Sequence, residues 1–222
     1  MSSVLGEVVP PALGIALSPF PVIPAILLLF TRRPRATGSA FLTGWVIGIA
    51  VPTGVFTVLA SVIEQHEETP TWASWVRIAL GAILLAVGIP RWFNPPQKKS
   101  APQWMRSLER STPAPALRLG LLLSAANPKI LLLAMAGGLS IGAAGLPAAG
   151  TVTAVVVFTA IAACTVALPP LLHALLGERI DAPLRRAKDW LEVHNATVMT
   201  LVITVIGMVL IAEGCATLWN QR

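Results

Sequence analysis

Six apolar runs, near residues 4–30, 38–62, 72–90, 117–138, 149–175 and 195–217, take up most of this chain. A helix needs roughly 20 residues to cross about 30 Å of hydrocarbon, and each run reaches that length. Charged residues, Pro, Gly or Asn bound every run. Composition agrees: charged side chains are 12% of the chain and hydrophobic ones 55%, with a mean hydropathy of +0.75. Soluble domains carry about 25% charged residues, so this chain lacks the polar surface to cover a globule. The same numbers argue against disorder and, despite a net charge of +6, against a soluble nucleic-acid binder. The expectation is an all-α integral membrane protein with six transmembrane helices, filling residues 1–222 as a single domain. The first run holds Glu7 and no basic stretch precedes it, so it reads as a retained helix rather than a cleaved signal peptide.

The basic residues set the orientation. Arg32, Arg33 and Arg35 follow the first run; Arg91, Lys98, Lys99, Arg106, Arg110 and Arg118 follow the third; Arg179, Arg185, Arg186 and Lys188 follow the fifth. The two intervening loops hold no Lys or Arg, and residues 62–71 carry Glu64, Glu67 and Glu68 instead. The positive-inside rule then puts the basic loops in the cytoplasm and both termini outside a cytoplasmic (inner) membrane. Trp45, Trp72, Trp75, Trp92, Trp190 and Trp219 fall near expected span ends, as an aromatic belt does. Residues 103–108 and 179–192 mix apolar and basic side chains and read either as solvated loops or as short helices on the anionic inner surface.

The halves resemble each other. Leu13-Gly14 and Leu17-Ser18 match Leu119-Gly120 and Leu123-Ser124 at one offset; Gly81, Leu84, Ala86 and Gly88 match Gly207, Leu210, Ala212 and Gly214 at another. A three-helix unit used twice enters from opposite sides, because three is odd. The expectation is two inverted repeats, 1–91 and 117–222, joined by a cytoplasmic loop 92–116. The first helix of each is interrupted. Leu17-Ser18-Pro19-Phe20-Pro21 cannot be regular helix, since each proline removes a donor and disturbs the carbonyl one turn back. Asn127-Pro128-Lys129 is the corresponding place in the fourth run. Broken backbone at membrane depth is tolerated where it is buried in protein or lines a cavity, and paired breaks point to a transporter binding site. The alternative is two proline kinks.

Lys129 is the most informative side chain. A lysine near the bilayer centre costs at least ~2.5–3.5 kcal/mol on insertion scales. That cost is sensible if it faces an anionic ligand, water or a carboxylate on another helix. The candidate substrate-binding residues are therefore Ser18, Pro19, Pro21, Asn127, Pro128 and Lys129. Glu7, Arg77 and Glu213 share a depth near the outer face and form a candidate ionic cluster, with Arg77 pairing to Glu213 or Glu7. His173, alone at the inner end of the fifth run, reads as structural. No phosphate-cradling loop, nucleophile–base set or metal-ligand spacing appears. No enzyme activity, cofactor or metal is expected. Cys164 and Cys215 lie at different depths and do not suggest a redox pair.

Six runs in 222 residues, Ser18-Pro19-Phe20-Pro21 and Asn127-Pro128-Lys129 resemble the lysine-exporter superfamily, and within it the peptidoglycolipid- or sulfolipid-addressing proteins. The resemblance implies a three-plus-three inverted fold and transport without ATP hydrolysis. For the addressing proteins it implies outward movement of a glycolipid to the cell envelope. It carries over Pro19, Pro21, Asn127, Pro128 and Lys129. Many superfamily members have a glycine between the first two prolines; Phe20 stands there in this chain and disfavours a small polar substrate.

The leading reading is a translocase for a lipid or lipid-linked glycan, its anionic head group held by Lys129 and Asn127 and its tails left in the bilayer. The alternative is a proton-coupled exporter of an amino acid or inorganic ion. Direct repulsion by Lys129 disfavours a cationic solute. A cavity open sideways to lipid favours the first, and one open only to water the second. The expected partners are membrane lipids and the lipid substrate, with no nucleic acid. Six helices are few to enclose a path, which leaves room for a homodimer. A scaffold that only recruits partners is the remaining class.

Overall fold

The computed structural model describes residues 2–64, residues 78, 79, 81–83, 85, 86, 89 and 90, Leu108, and residues 111–220. All regular structure among them is helical. Helix α1 is Ser2–Ala16, α2 Val22–Leu27, α3 Pro34–Glu64, α4 Pro113–Ala125, α5 Pro128–Ala143, α6 Ala148–Leu176 and α7 Asp181–Asn220. Single 3-10 turns, Leu28–Phe30 and Gly177–Ile180, follow α2 and α6. Residues 34–62 of α3 and all of α6 are long and apolar enough to cross a membrane. The pair α4–α5 qualifies as a third, bent by 66° at its break.

Proline and small polar residues set the ends. Pro34, Pro113 and Pro128 open their helices, where a missing N–H costs no intrahelical bond. After α2, the Thr31 and Thr37 hydroxyls lie 2.7 Å apart and each is 2.9 Å from the Leu28 carbonyl, which closes the turn around exposed Arg32 and Arg33. Gly145, at φ +58, turns the chain from α5 into α6, and Gly177, at φ +61, turns it out of α6.

Glycines set how the helices meet. Along α3, Gly44 lies against the Leu117 carbonyl, Phe41 and Trp45 against Gly120, Gly48 against Ser124, Thr53 against Gly138 and Thr57 against Gly142. The contacts advance together, so α3 runs in the same chain direction as the bent pair α4–α5, with their backbones nearly touching. In hydrocarbon there is no water to escape from, so close packing of small residues does the work of association. Residues 81 and 85 pack on α7 in the reverse order: Gly81 meets Gly207 and Ile211, and Leu85 meets Gly207. This crossing is antiparallel. Helix α6 packs on α1 and α2, and Phe158 fills the space beside Gly137. Val152, Val156, Leu171 and Leu175 of α6 face outward, as bilayer-facing side chains do.

Two expectations change. Trp45 is fully buried beside Gly120, so it is a core residue and not part of an aromatic belt. The small Gly120 lets the backbone of α3 at Phe41 and Trp45 approach α4 closely. The stretch 179–192 is not a separate surface helix. From Asp181 onward it is continuous with the last run in a single 40-residue helix, because no Pro or Gly interrupts positions 184–206. Trp190 is exposed, and its ring stacks on His194 at 4.6 Å. Trp72, Trp75, Trp92 and residues 103–107 lie outside the described residues.

Candidate functional site

The site is built around the first break. Helix α1 stops at Ala16 because Pro19 offers no N–H to the turn before it and restricts Ser18. The Ser18 N–H reaches back to Ile15 at 3.1 Å, and the chain resumes helical form at Val22, whose N–H donates to Pro19 at 3.2 Å. The freed carbonyl of Ala16 accepts the Thr165 hydroxyl of α6. Ser18, Pro19 and Pro21 are all buried.

Beside this break lies a cleft of about 430 Å³. Leu17, Ser18 and Pro19 line one end, Leu168 and Leu172 of α6 one wall, and Ile180, Pro183, Leu184, Ala187 and Leu191 the other end. Ser18 and Thr165 are its polar lining residues, and the Thr165 hydroxyl is already taken by Ala16. Leu17 and Leu168 are about half exposed, so the cleft opens on the side of the bundle. Such a surface suits an alkyl chain and offers little to a solvated ion.

The second break is a helix start. Asn127 Oδ1 accepts the Lys129 backbone N–H at 3.1 Å, with Pro128 in the first helical position. The residue type is the one that best caps an N-terminus, and the proline is pre-set for the first turn. This role was readable from Asn-Pro, although the pattern also suggested a ligand contact. The break rests on α3 where Gly48 meets Ser124 and Ala125. Pro52, one turn on, leaves the Gly48 carbonyl without its helical donor, so the polar irregularities of two neighbouring helices coincide. Lys129 is partly buried at this start.

The two breaks do not share the cleft. Ser18 and Pro19 line it; Pro21, Asn127, Pro128 and Lys129 do not. The first break leans on α6 and the second on α3. Glu7 is exposed on α1. Arg77 and the Glu213 side chain lie outside the described residues, and so does their proposed pairing.

Sequence reasoning missed the contribution of α7. Leu184, Ala187 and Leu191 recur at helical spacing on the cleft wall, the signal of an apolar face. That face lines the cleft: Leu184 is buried, Leu191 partly so and Ala187 exposed. It also missed Asp181, whose Oδ1 lies 3.3 Å from His173 Nδ1 across the turn between α6 and α7. The two atoms are close without hydrogen-bond geometry and both are buried, so the approach becomes an ion pair only when the imidazole is protonated; it lies beside Leu172 and Pro183 at the end of the cleft. Arg185 lies on the same element, its guanidinium 3.8 Å above the Phe30 ring. The loops after α2 and α6, both basic, thus meet at one end of the bundle. Among the described residues no group of His, Cys, Asp and Glu is placed to hold a metal.

A family described as "Sap, sulfolipid-1-addressing protein" matches residues 8–216. No curated protein and no solved structure matches the chain.

Proposed function

From the premise that this chain belongs to the sulfolipid-1-addressing protein family, and is a membrane protein with a lipid-related role, we propose that it carries an amphiphilic lipid or lipid-linked glycan across the cytoplasmic membrane toward the cell envelope. The observation that carries this reading is the apolar cleft that opens sideways at the Ser18-Pro19 break. A path for a small solute needs a polar interior; a lipid path needs a polar route for the head and a side opening for the tail. The cleft supplies the second. The first falls to the other break, where Lys129 and the start of a 16-residue helix give positive charge. The head group is anionic on this reading, and the donors of Asn127 not used in capping contribute to holding it.

Six crossings in two inverted repeats belong to the same proposal. Its support is in the exchanged packing: the broken first helix of each half leans on the second helix of the other half, α1 on α6 and α4–α5 on α3. The kinship with the lysine-exporter superfamily rests on the broken-helix motifs. The basic loops are cytoplasmic and the termini extracytoplasmic on the charge distribution; the meeting of Arg185 and Phe30 supports only that the loops after α2 and α6 share one side. The protein works without cofactor or catalysis, with membrane lipids as its partners, as a monomer or as a homodimer.

The test is a proteoliposome assay. A fluorescent anionic lipid loaded in one leaflet becomes accessible to a reductant in the other when the protein is present. Transport that requires Lys129 supports the reading. A protein that leaves the lipid in place but moves a water-soluble amino acid overturns it.

A further inference from the structure

We propose that the end of the cleft between α2, α6 and α7 is a loading site for an anionic lipid of the inner leaflet, with the acyl chain along Leu168, Leu172 and Leu184 and the head group on Arg185. The proposal rests on the export reading and adds where the substrate enters and which residue selects it.

Three observations converge. The cleft runs from the first break to the turn before α7, so its far end lies among the basic loops. Its lining there is wholly apolar: Leu172, Ile180, Pro183 and Leu184. Arg185 follows Leu184 directly and sits over Phe30, which packs on the same Ile26, Leu29 and Leu184 cluster. A guanidinium resting on an aromatic face keeps the N–H groups at its edges for an oxyanion. The neighbouring described carboxylates lie closest to other groups, Asp189 3.2 Å from Lys188 and Asp181 3.3 Å from His173 Nδ1, although the latter approach is not a hydrogen bond. Among the described residues the partner of the Arg185 guanidinium is the Phe30 ring rather than a carboxylate. A neutral lipid gains nothing from this cation, and a free anion gains nothing from the apolar wall. The combination fits one molecule with both parts.

The experiment uses the full chain in phosphatidylcholine nanodiscs. Cys164→Ser and Cys215→Ser remove the native thiols, and Ala187→Cys carries a fluorophore on the cleft wall. Brominated phosphatidylglycerol is expected to quench at about fivefold lower mole fraction than brominated phosphatidylcholine, the advantage one arginine near an anionic surface gives. Arg185→Gln should bring the two lipids together, and Leu168→Trp, which fills the cleft, should weaken quenching by both. Inorganic phosphate should not compete. Equal quenching by the two lipids before Arg185 is changed overturns the proposal. So does a preference that survives Arg185→Gln, or quenching untouched by Leu168→Trp. The outcomes separate from the parent reading. If this preference is absent while Lys129→Ala still stops transport, only the loading site falls; if it is present while the protein moves no lipid, the export reading falls instead.

Discussion

Gly81 and Gly207 face each other across a helix crossing, and each blocks the side chain the other lacks. A Cβ on Gly81 would lie 2.8 Å from the Gly207 carbonyl oxygen, and one on Gly207 would lie 3.0 Å from that of Gly81. On the proposed inverted repeat these two residues are equivalent positions, and contact between equivalent positions is what a local two-fold axis would produce.

Substitution at this crossing should therefore be costly. Gly81→Leu and Gly207→Leu are each expected to destabilise the folded protein by about 1–3 kcal/mol, the usual cost of overpacking a tight contact. Gly54 is the control: nothing lies within 4 Å of its missing Cβ, and it sits inside α3. Gly54→Ala should leave stability unchanged or raise it by up to about 1 kcal/mol, the helix-propensity difference. Thermal unfolding in detergent reads all three.

Asn127 should behave as a cap before it behaves as a ligand. Asn127→Ala is expected to cost about 1 kcal/mol of stability, with Asn127→Ser and Asn127→Asp recovering most of it, since those side chains also accept from the first turn. Equal melting temperatures for the asparagine and alanine forms would count against the capping bond seen at 3.1 Å.

Lys129→Ala should leave an inserted, folded protein and remove most of the lipid movement. On the proposed topology a cation at this depth hinders insertion, and the proposed head group is the reason for its presence. Lys129→Arg should restore part of the activity, because a planar fork differs from a compact ammonium. Lipid appearance in the far leaflet is the readout, with expression level and melting temperature as controls. Normal transport by Lys129→Ala would move the head-group site elsewhere; loss of folding would mean that the lysine holds a structural ion pair.

Sidedness has its own test. Single cysteines placed at 98–101 should resist an impermeant thiol reagent in intact cells, whereas one at Gly145, in the turn between α5 and α6, should react. The opposite pattern would reverse the orientation and put the loading cleft in the outer leaflet.

The breaks were legible in the sequence because proline acts locally: Pro19, Pro21 and Pro128 interrupt helices whatever surrounds them. The two 29-residue apolar spans were legible for a similar reason, since length and hydropathy are sums over neighbours. The cleft was not. Its walls come from four parts of the chain, and no local pattern says that Leu184 will pack near Ile26 rather than face lipid. Trp45 misled because tryptophan near a span end suits both a belt and a core, and only the packing of the helices around α3 decides. Asn127 carried two readings at once. Its capping role follows from the next residue, Pro128, while any part in binding depends on what the other helices bring to it.

Helix α7 has a mechanical consequence. At 40 residues it is about 60 Å long, twice the hydrocarbon thickness. It touches Gly81 at Gly207, walls the cleft at Leu184, and has no proline or glycine between those two positions. It is a stiff lever whose fulcrum and working end are about 35 Å apart. With that arm, a swing of about 5° at Gly207 carries Leu184 through roughly 3 Å, nearly the width of a methylene chain. Any tilt of α7 about the tight glycine crossing would therefore be felt at the cleft mouth, and the buried approach of His173 to Asp181 lies beside that end.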